Sequence, residues 1–374
     1  MKSKTNYSHN MNVKEIITAL EEFAPPQLQE DYDNTGLNIG NPNAEITGIL
    51  LCIDITEDVV DEAIDNKCNM IVSHHPLIFG KLKKITGSDY VERCIIKAIK
   101  NDISIYCGHT SFDSVEKGVS YKICEKLRLQ NLNILSPKKN FLKKISVFIP
   151  EKHAEKVRLS MFEAGAGSIG NYNHCSFNVS GNGSFKAGEN TTAYVGKKGV
   201  VHYEPEIKTE MVFPAHLESR IISAMLSAHP YEEVAYDIFS IDNNWGKAGL
   251  GMTGETIKPL EEKELLEILK EKFNIKNIRH SKLLGTKINK IAVCGGSGAA
   301  FINTAINSGA QVFISGDIKY HDYFLTENKI LIIDIGHFES EQFTKEIFYD
   351  IIMKKKPNFA VRFSKINTNP IKNY

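Results

Sequence analysis

The stretch Ile71-Val72-Ser73-His74-His75-Pro76 decides how the chain folds. A short apolar run ends in two adjacent histidines, and Pro76, which lacks a backbone N–H, stops the strand there. Neighbouring side chains on a strand point to opposite faces, so both imidazoles can serve one site only where the strand has just ended. Two further clusters share this character. His109 and Asp113 follow Ile103-Ser104-Ile105-Tyr106-Cys107, and His337 and Glu341 follow Ile330-Leu331-Ile332-Ile333-Asp334. Each places a carboxylate four residues after a histidine, and the three clusters together argue for a metal site.

Upstream of that stretch, Gly48 to Ile53 is a continuous apolar strand ending at Asp54. Thr56 can cap the next helix, with Glu57 and Asp58 favourable in its first turn. Strand, helix, strand, helix, strand then alternate through Cys107, the pattern of a doubly wound parallel sheet. Ligands in such sheets bind outside the carboxyl ends of the strands, where Asp54, His74, His75, His109 and Asp113 all fall. An amphipathic helix is expected at Val13 to Phe23, and a turn-rich segment at Asp31 to Gly40.

The pattern changes near Pro137. Two β-α-β units, Lys143 to Pro150 with its helix and Glu210 to Phe213 with its helix and a strand to Ile241, flank a Gly- and Asn-rich stretch from Gly165 to Gly199. They read as a ferredoxin-like α+β insertion over 137–244. The flanking α/β halves are then 11–136 and 245–374, preceded by a polar extension, 1–10, expected to be disordered. In the second half, Ile288 to Cys294 runs into Gly295-Gly296-Ser297-Gly298, which could cradle a phosphate or form a tight turn only. Val312 to Ser315 ends at Gly316-Asp317, with His321 just beyond. Arg279 and His280 read as solvated loop residues.

The bulk properties narrow the field. At 374 residues, with 42% hydrophobic and 24% charged residues, the chain is an ordinary globular protein of more than one domain. A formal net charge of zero offers no field for nucleic acid or an acidic membrane surface. No apolar run approaches the ~20 residues of a membrane span, and the polar N-terminus lacks an apolar signal region. Seven cysteines without C-x-x-C spacing fit reduced, buried thiols. The expectation is a cytoplasmic protein.

Taken together, Asp33-Asn34-Thr35-Gly36-Leu37, Ser73-His74-His75-Pro76, Gly108-His109-Thr110-Ser111-Phe112-Asp113, Gly316-Asp317-Ile318-Lys319-Tyr320-His321 and Gly336-His337-Phe338-Glu339-Ser340-Glu341 resemble the NIF-three-like family, also called GTP cyclohydrolase 1 type 2 homologs. The insertion, with His229-Pro230-Tyr231-Glu232-Glu233, resembles the PII/CutA-like domain of longer bacterial members. The resemblance implies a core of two α/β halves, a toroidal homohexamer and a two-metal site inside the ring. By position the ligands are His74, His75, Asp113, His337 and Glu341. His109 and His321 are then expected to relay protons, and Asp33 and Asp317 to orient ligands from behind. This chain has Tyr32 where the family more usually has Trp.

Imidazole plus carboxylate suits two divalent ions, zinc foremost, with manganese, iron or nickel as alternatives. Two ions bridged by Asp113 or Glu341 at ~3.5–4 Å could generate hydroxide at neutral pH. The leading expectation is a hydrolase of a small nucleotide-like metabolite, of GTP cyclohydrolase type if the electrophile is the purine C8. The alternatives are phosphoester hydrolysis, or a metal-binding regulatory or metal-handling protein whose inserted domain senses a metabolite.

Overall fold

The computed structural model describes residues 11–372, so the extension at 1–10 lies outside the described residues. Contacts divide the described residues into two units, one formed by 11–136 with 247–372 and the other by 137–246.

The first unit is α/β and carries two sheets. One has the strand order Gly36–Ile39, Ser104–Cys107, Met70–Ser73, Ile49–Cys52, Val361–Phe363. Its last four strands are parallel, and Gly36–Ile39 runs antiparallel at the edge. Ile49–Cys52, Met70–Ser73 and Ser104–Cys107 are buried at every position, as a sheet covered on both faces requires. Val13–Phe23 and Thr344–Lys355 cover one face, and Glu57–Asp65 and Tyr90–Lys100 the other. The helix starts are built as their sequences suggest. Asn12 and Glu15 form a reciprocal capping box, and Thr56 accepts the Val59 N–H.

The other sheet has the order Arg279–His280, Leu331–Asp334, Val312–Gly316, Ile288–Ser297, Trp245–Leu260, Gln130–Lys138. Its three central members, Leu331–Asp334, Val312–Gly316 and Ile288–Ser297, are parallel. Arg279 and His280 are an edge strand rather than loop, and Arg279 pairs with the buried Asp334. The Asp334 carboxylate also accepts the N–H groups of Gly336 and Ile318, so it shapes the turns leading to His337 and Asp317.

The C-terminal segment returns to the first sheet. Ile347, Phe348 and Ile352 enter the cluster built on Val13, Ile16, Leu20, Leu51 and Phe112, and Phe348 meets Phe112 edge-on at 4.8 Å. Val361–Phe363 then pairs with Ile49–Cys52. This closure holds the two α/β halves in one unit.

The unit 137–246 has the strand order Phe177–Lys186, Val201–Pro214, Leu142–Pro150, Tyr236–Ile241, with the helices Ala154–Glu163 and Glu218–Ala228. Numbering its own strands from one, this is the 2-3-1-4 order of a ferredoxin-like fold. The Gly- and Asn-rich stretch is not only loop: it contains the ten-residue strand Phe177–Lys186, paired along its length with Val201–Glu210. That strand is largely exposed, so no hydrophobic alternation marks it.

Phe348→Ala is expected to lower the unfolding free energy by about 3–5 kcal/mol, since a fully buried ring leaves a cavity at the junction of the halves. Ile99→Ala, at an exposed helical site, is expected to change it by less than about 0.5 kcal/mol. Denaturant titration of the two variants checks both; a loss under ~1 kcal/mol for Phe348→Ala contradicts the closure described.

Candidate metal centre

Strand register brings the candidate residues to one level. Cys52 pairs with Ser73 and Ser73 with Cys107, so the chain leaves three neighbouring strands side by side. The ladder continues one step further. His75 N–H donates to the Ile53 carbonyl at 2.9 Å, and His109 N–H to the His74 carbonyl at 2.8 Å. Asp54, His74, His75 and His109 therefore emerge together. From the other sheet, Ser315 pairs with Asp334, placing Asp317 and His337 at the matching edge.

The two edges meet. His75 Nε2 lies 3.2 Å from His337 Nε2, and Glu341 Oε2 is 3.0 Å from the first and 3.2 Å from the second. His74 Nε2 stands 3.4 Å from Glu341 Oε1 and 3.7 Å from Asp113 Oδ1. All five expected ligands thus converge. His74, His75 and Glu341 present donor atoms within 4.8 Å of one another, a group that could hold a metal ion.

Three of the imidazoles are fixed from behind. His75 Nδ1 is 2.7 Å from Asp54 Oδ1, His337 Nδ1 is 2.7 Å from Asp317 Oδ2, and His109 Nδ1 is 2.6 Å from Asp33 Oδ1. A carboxylate on Nδ1–H sets the tautomer and leaves Nε2 as a lone-pair donor. With both Nδ1–H groups so used, the Nε2 atoms of neutral His75 and His337 face each other as lone pairs. That arrangement needs a positive charge. Both His74 ring nitrogens and Asp113 Oδ1 are also buried without a hydrogen-bond partner. Buried polar atoms are rarely left so. The donor set and its unsatisfied atoms fit a divalent metal, and imidazole with carboxylate is the set zinc, manganese, iron and nickel take.

Without metal, protons take this role. Burial lowers the His75 and His337 imidazoles, but it is outweighed. Hydrogen bonds to Asp54 and Glu341 raise His75 to about 10, and contacts with Glu341 and Asp317 raise His337 to about 9. Burial opposes ionisation of Glu341 too, yet His74, His337 and His75 hold its carboxyl far down. Burial, then the Glu341 charge, pushes Asp113 up, and burial keeps His74 neutral. A metal ion would replace these protons, so binding should release them.

Outside the facing pair stands His109, its ring 5.4 Å from that of His75. Asp33, kept anionic by His109 and Thr110 against the effect of burial, anchors it. His321 is exposed and packs against Tyr320 and Phe324. The loop Gly295 to Gly298 ends a strand and leads into a short 3-10 turn. At Gly296, with φ of 63°, a Cβ would collide with Glu341, so its glycine makes room for the carboxylate.

The role of Asp54 escapes the motif reading, because it is a lone carboxylate 21 residues from the His75 it orients. Its position after a buried parallel strand was the available signal. Asp54→Asn is expected to weaken metal binding about 10–100-fold while leaving the fold intact. Competition against a chromophoric chelator, with circular dichroism as the folding control, measures it; unchanged affinity contradicts the positioning role.

Comparison with known proteins agrees with this architecture. The family model described as Duf34/NIF3 (NGG1p interacting factor 3) matches residues 11–370. A Bacillus subtilis relative, named GTP cyclohydrolase 1 type 2 homolog, is 34% identical over 370 residues, covering 96% of this chain and 98% of the relative. A relative of the same name from Halalkalibacterium halodurans is 35% identical over 364 residues, with 96% and 98% covered. The crystal structure of a Bacillus cereus protein related to NIF3 is 37% identical, with a TM-score of 0.85 over 98% of this chain and 100% of that one. No helix among the described residues is long and apolar enough to cross a membrane. The chain belongs to the Duf34/NIF3 family.

Proposed function

We propose that this protein is a metal-dependent hydrolase of a small nucleotide-like substrate, of the GTP cyclohydrolase type that its relatives' name suggests. The observation that carries the reading is the facing pair of His75 and His337, each with Nδ1 committed to an aspartate and Glu341 between them. His74, His75, His337, Glu341 and Asp113 would hold two ions, zinc foremost. When bound, such ions polarise a substrate oxygen and supply a nucleophile from water near neutral pH.

The chain's own residues do the rest. Asp54 and Asp317 keep His75 and His337 in the ligating tautomer. Asp33 holds His109 by Nδ1, leaving Nε2 free to accept and return a proton during attack on carbon, with the purine C8 as the electrophile in the cyclohydrolase case. Tyr32 and Phe79 are 64% and 56% exposed, and their rings pair at 6.3 Å, with Phe79 5.8 Å from His109. Two exposed aromatic faces beside the centre suit stacking of a heterocyclic base. As part of the same reading we propose a homohexamer in the cytoplasm, which sedimentation of the purified protein at the mass of six chains would support.

GTP incubated with the metal-loaded protein is expected to lose the purine absorbance as formate is released. His109→Ala is expected to lower kcat about 10²–10⁴-fold with metal content unchanged. Phe79→Ala is expected mainly to raise KM, since stacking is worth ~1–3 kcal/mol per base. Intact GTP after incubation removes the cyclohydrolase reading, and release of inorganic phosphate would move it to phosphoester hydrolysis by the same residues.

A further inference from the structure

The metal centre makes no use of a cleft of about 410 Å³ that lies wholly within residues 137–246. Its construction starts at His229, which is buried. His229 Nε2–H donates to the Phe148 carbonyl at 3.0 Å, and Nδ1 accepts the Tyr231 N–H at 3.1 Å. Both ring nitrogens are thereby used and the imidazole is neutral, so His229 acts as a brace that fixes Tyr231 after the rigid Pro230. The Tyr231 hydroxyl donates to Glu206 Oε1 at 2.8 Å. Glu206 is only 9% exposed, and a Cβ on Gly183 would collide with its carboxylate. The strand Phe177–Lys186 is therefore bare where the strand Val201–Pro214 turns this carboxylate into the cleft.

Around it stand aromatic rings. Phe185 and Tyr194 each lie 6.1 Å from Tyr231. Glu232, also in the wall, accepts the Thr192 N–H with both oxygens and ties down the segment that carries Tyr194. Glu206, Glu232 and Glu233 line the cleft against one basic residue, Lys186. Among the described residues no cationic side chain pairs with Glu206. A carboxylate is costly to bury unless a positive charge compensates it, and ring faces carry negative potential that attracts cations.

We propose that this cleft binds a small organic cation, whose ammonium head docks on Glu206 against the rings of Tyr231, Tyr194 and Phe185. The volume suits a metabolite-sized ligand. The site is independent of the metal cluster, so its failure leaves the hydrolase reading untouched.

Isothermal titration of the full-length protein tests it, with choline and 1,4-diaminobutane as probes and 1,4-butanediol and succinate as uncharged and anionic controls. Saturable binding of at least one cation, absent with both controls and weakened about tenfold or more by Glu206→Gln, is expected. Tyr194→Ala, which removes one ring and leaves the carboxylate, is expected to weaken the same binding, and it carries the test if Glu206→Gln does not fold. No saturable binding of either cation at millimolar concentration, equal binding of succinate, or full affinity in folded variants would overturn the proposal.

Discussion

Two imidazole nitrogens held 3.2 Å apart, each with its other nitrogen bonded to a carboxylate, cannot stay neutral without mutual repulsion. A cation between them removes it, and Glu341 lies within 3.2 Å of both. Much of the first unit reads as the apparatus for this approach. Parallel strands of two sheets end at one place, and five of them, Ile49–Cys52, Met70–Ser73, Ser104–Cys107, Val312–Gly316 and Leu331–Asp334, each deliver one or two groups. The helix Thr344–Lys355 and the strand Val361–Phe363 carry the second half back onto the first, so His337 and Glu341 reach His75 across more than 260 residues of sequence.

The site is held from the rear as firmly as from the front. Asp54, Asp317 and Asp33 each occupy one imidazole, and Asp334 in turn fixes the Asp317 and His337 turns through backbone N–H groups. Such layering sets ring orientation before a metal arrives, which reduces the ordering needed on binding. Gly296 belongs to the same logic: its missing side chain leaves room for the Glu341 carboxylate at the end of a buried strand.

The parallel strands and the ligand-bearing turns were legible in the sequence because burial on both faces writes a continuous apolar run, and a strand end writes the polar residues after it. The pairs His109 with Asp113 and His337 with Glu341 declared themselves by helical spacing, since each lies on one short helix. What stayed hidden has physical reasons. Phe177–Lys186 is mostly exposed and glycine-bearing, so it shows no period. The three-residue strand Val361–Phe363 is too short to show one, and only its pairing partner, Ile49–Cys52, far earlier in the chain, defines it. Arg279 is solvated as expected, but it read as loop because a two-residue edge strand shows no period and its ion-pair partner, Asp334, lies 55 residues away on a neighbouring strand. The Gly295–Gly298 loop read as a phosphate cradle or a tight turn only, and neither reading could show that its glycine at 296 makes room for a carboxylate from another element.

Elemental analysis of protein purified without added metal, wild type beside His75→Ala, decides whether the facing imidazoles hold a metal. The wild type is expected to carry a divalent transition metal, about two ions per chain, falling sharply in the variant although it remains folded. A wild type that is metal-free and takes up neither zinc, manganese nor iron on titration would contradict that expectation.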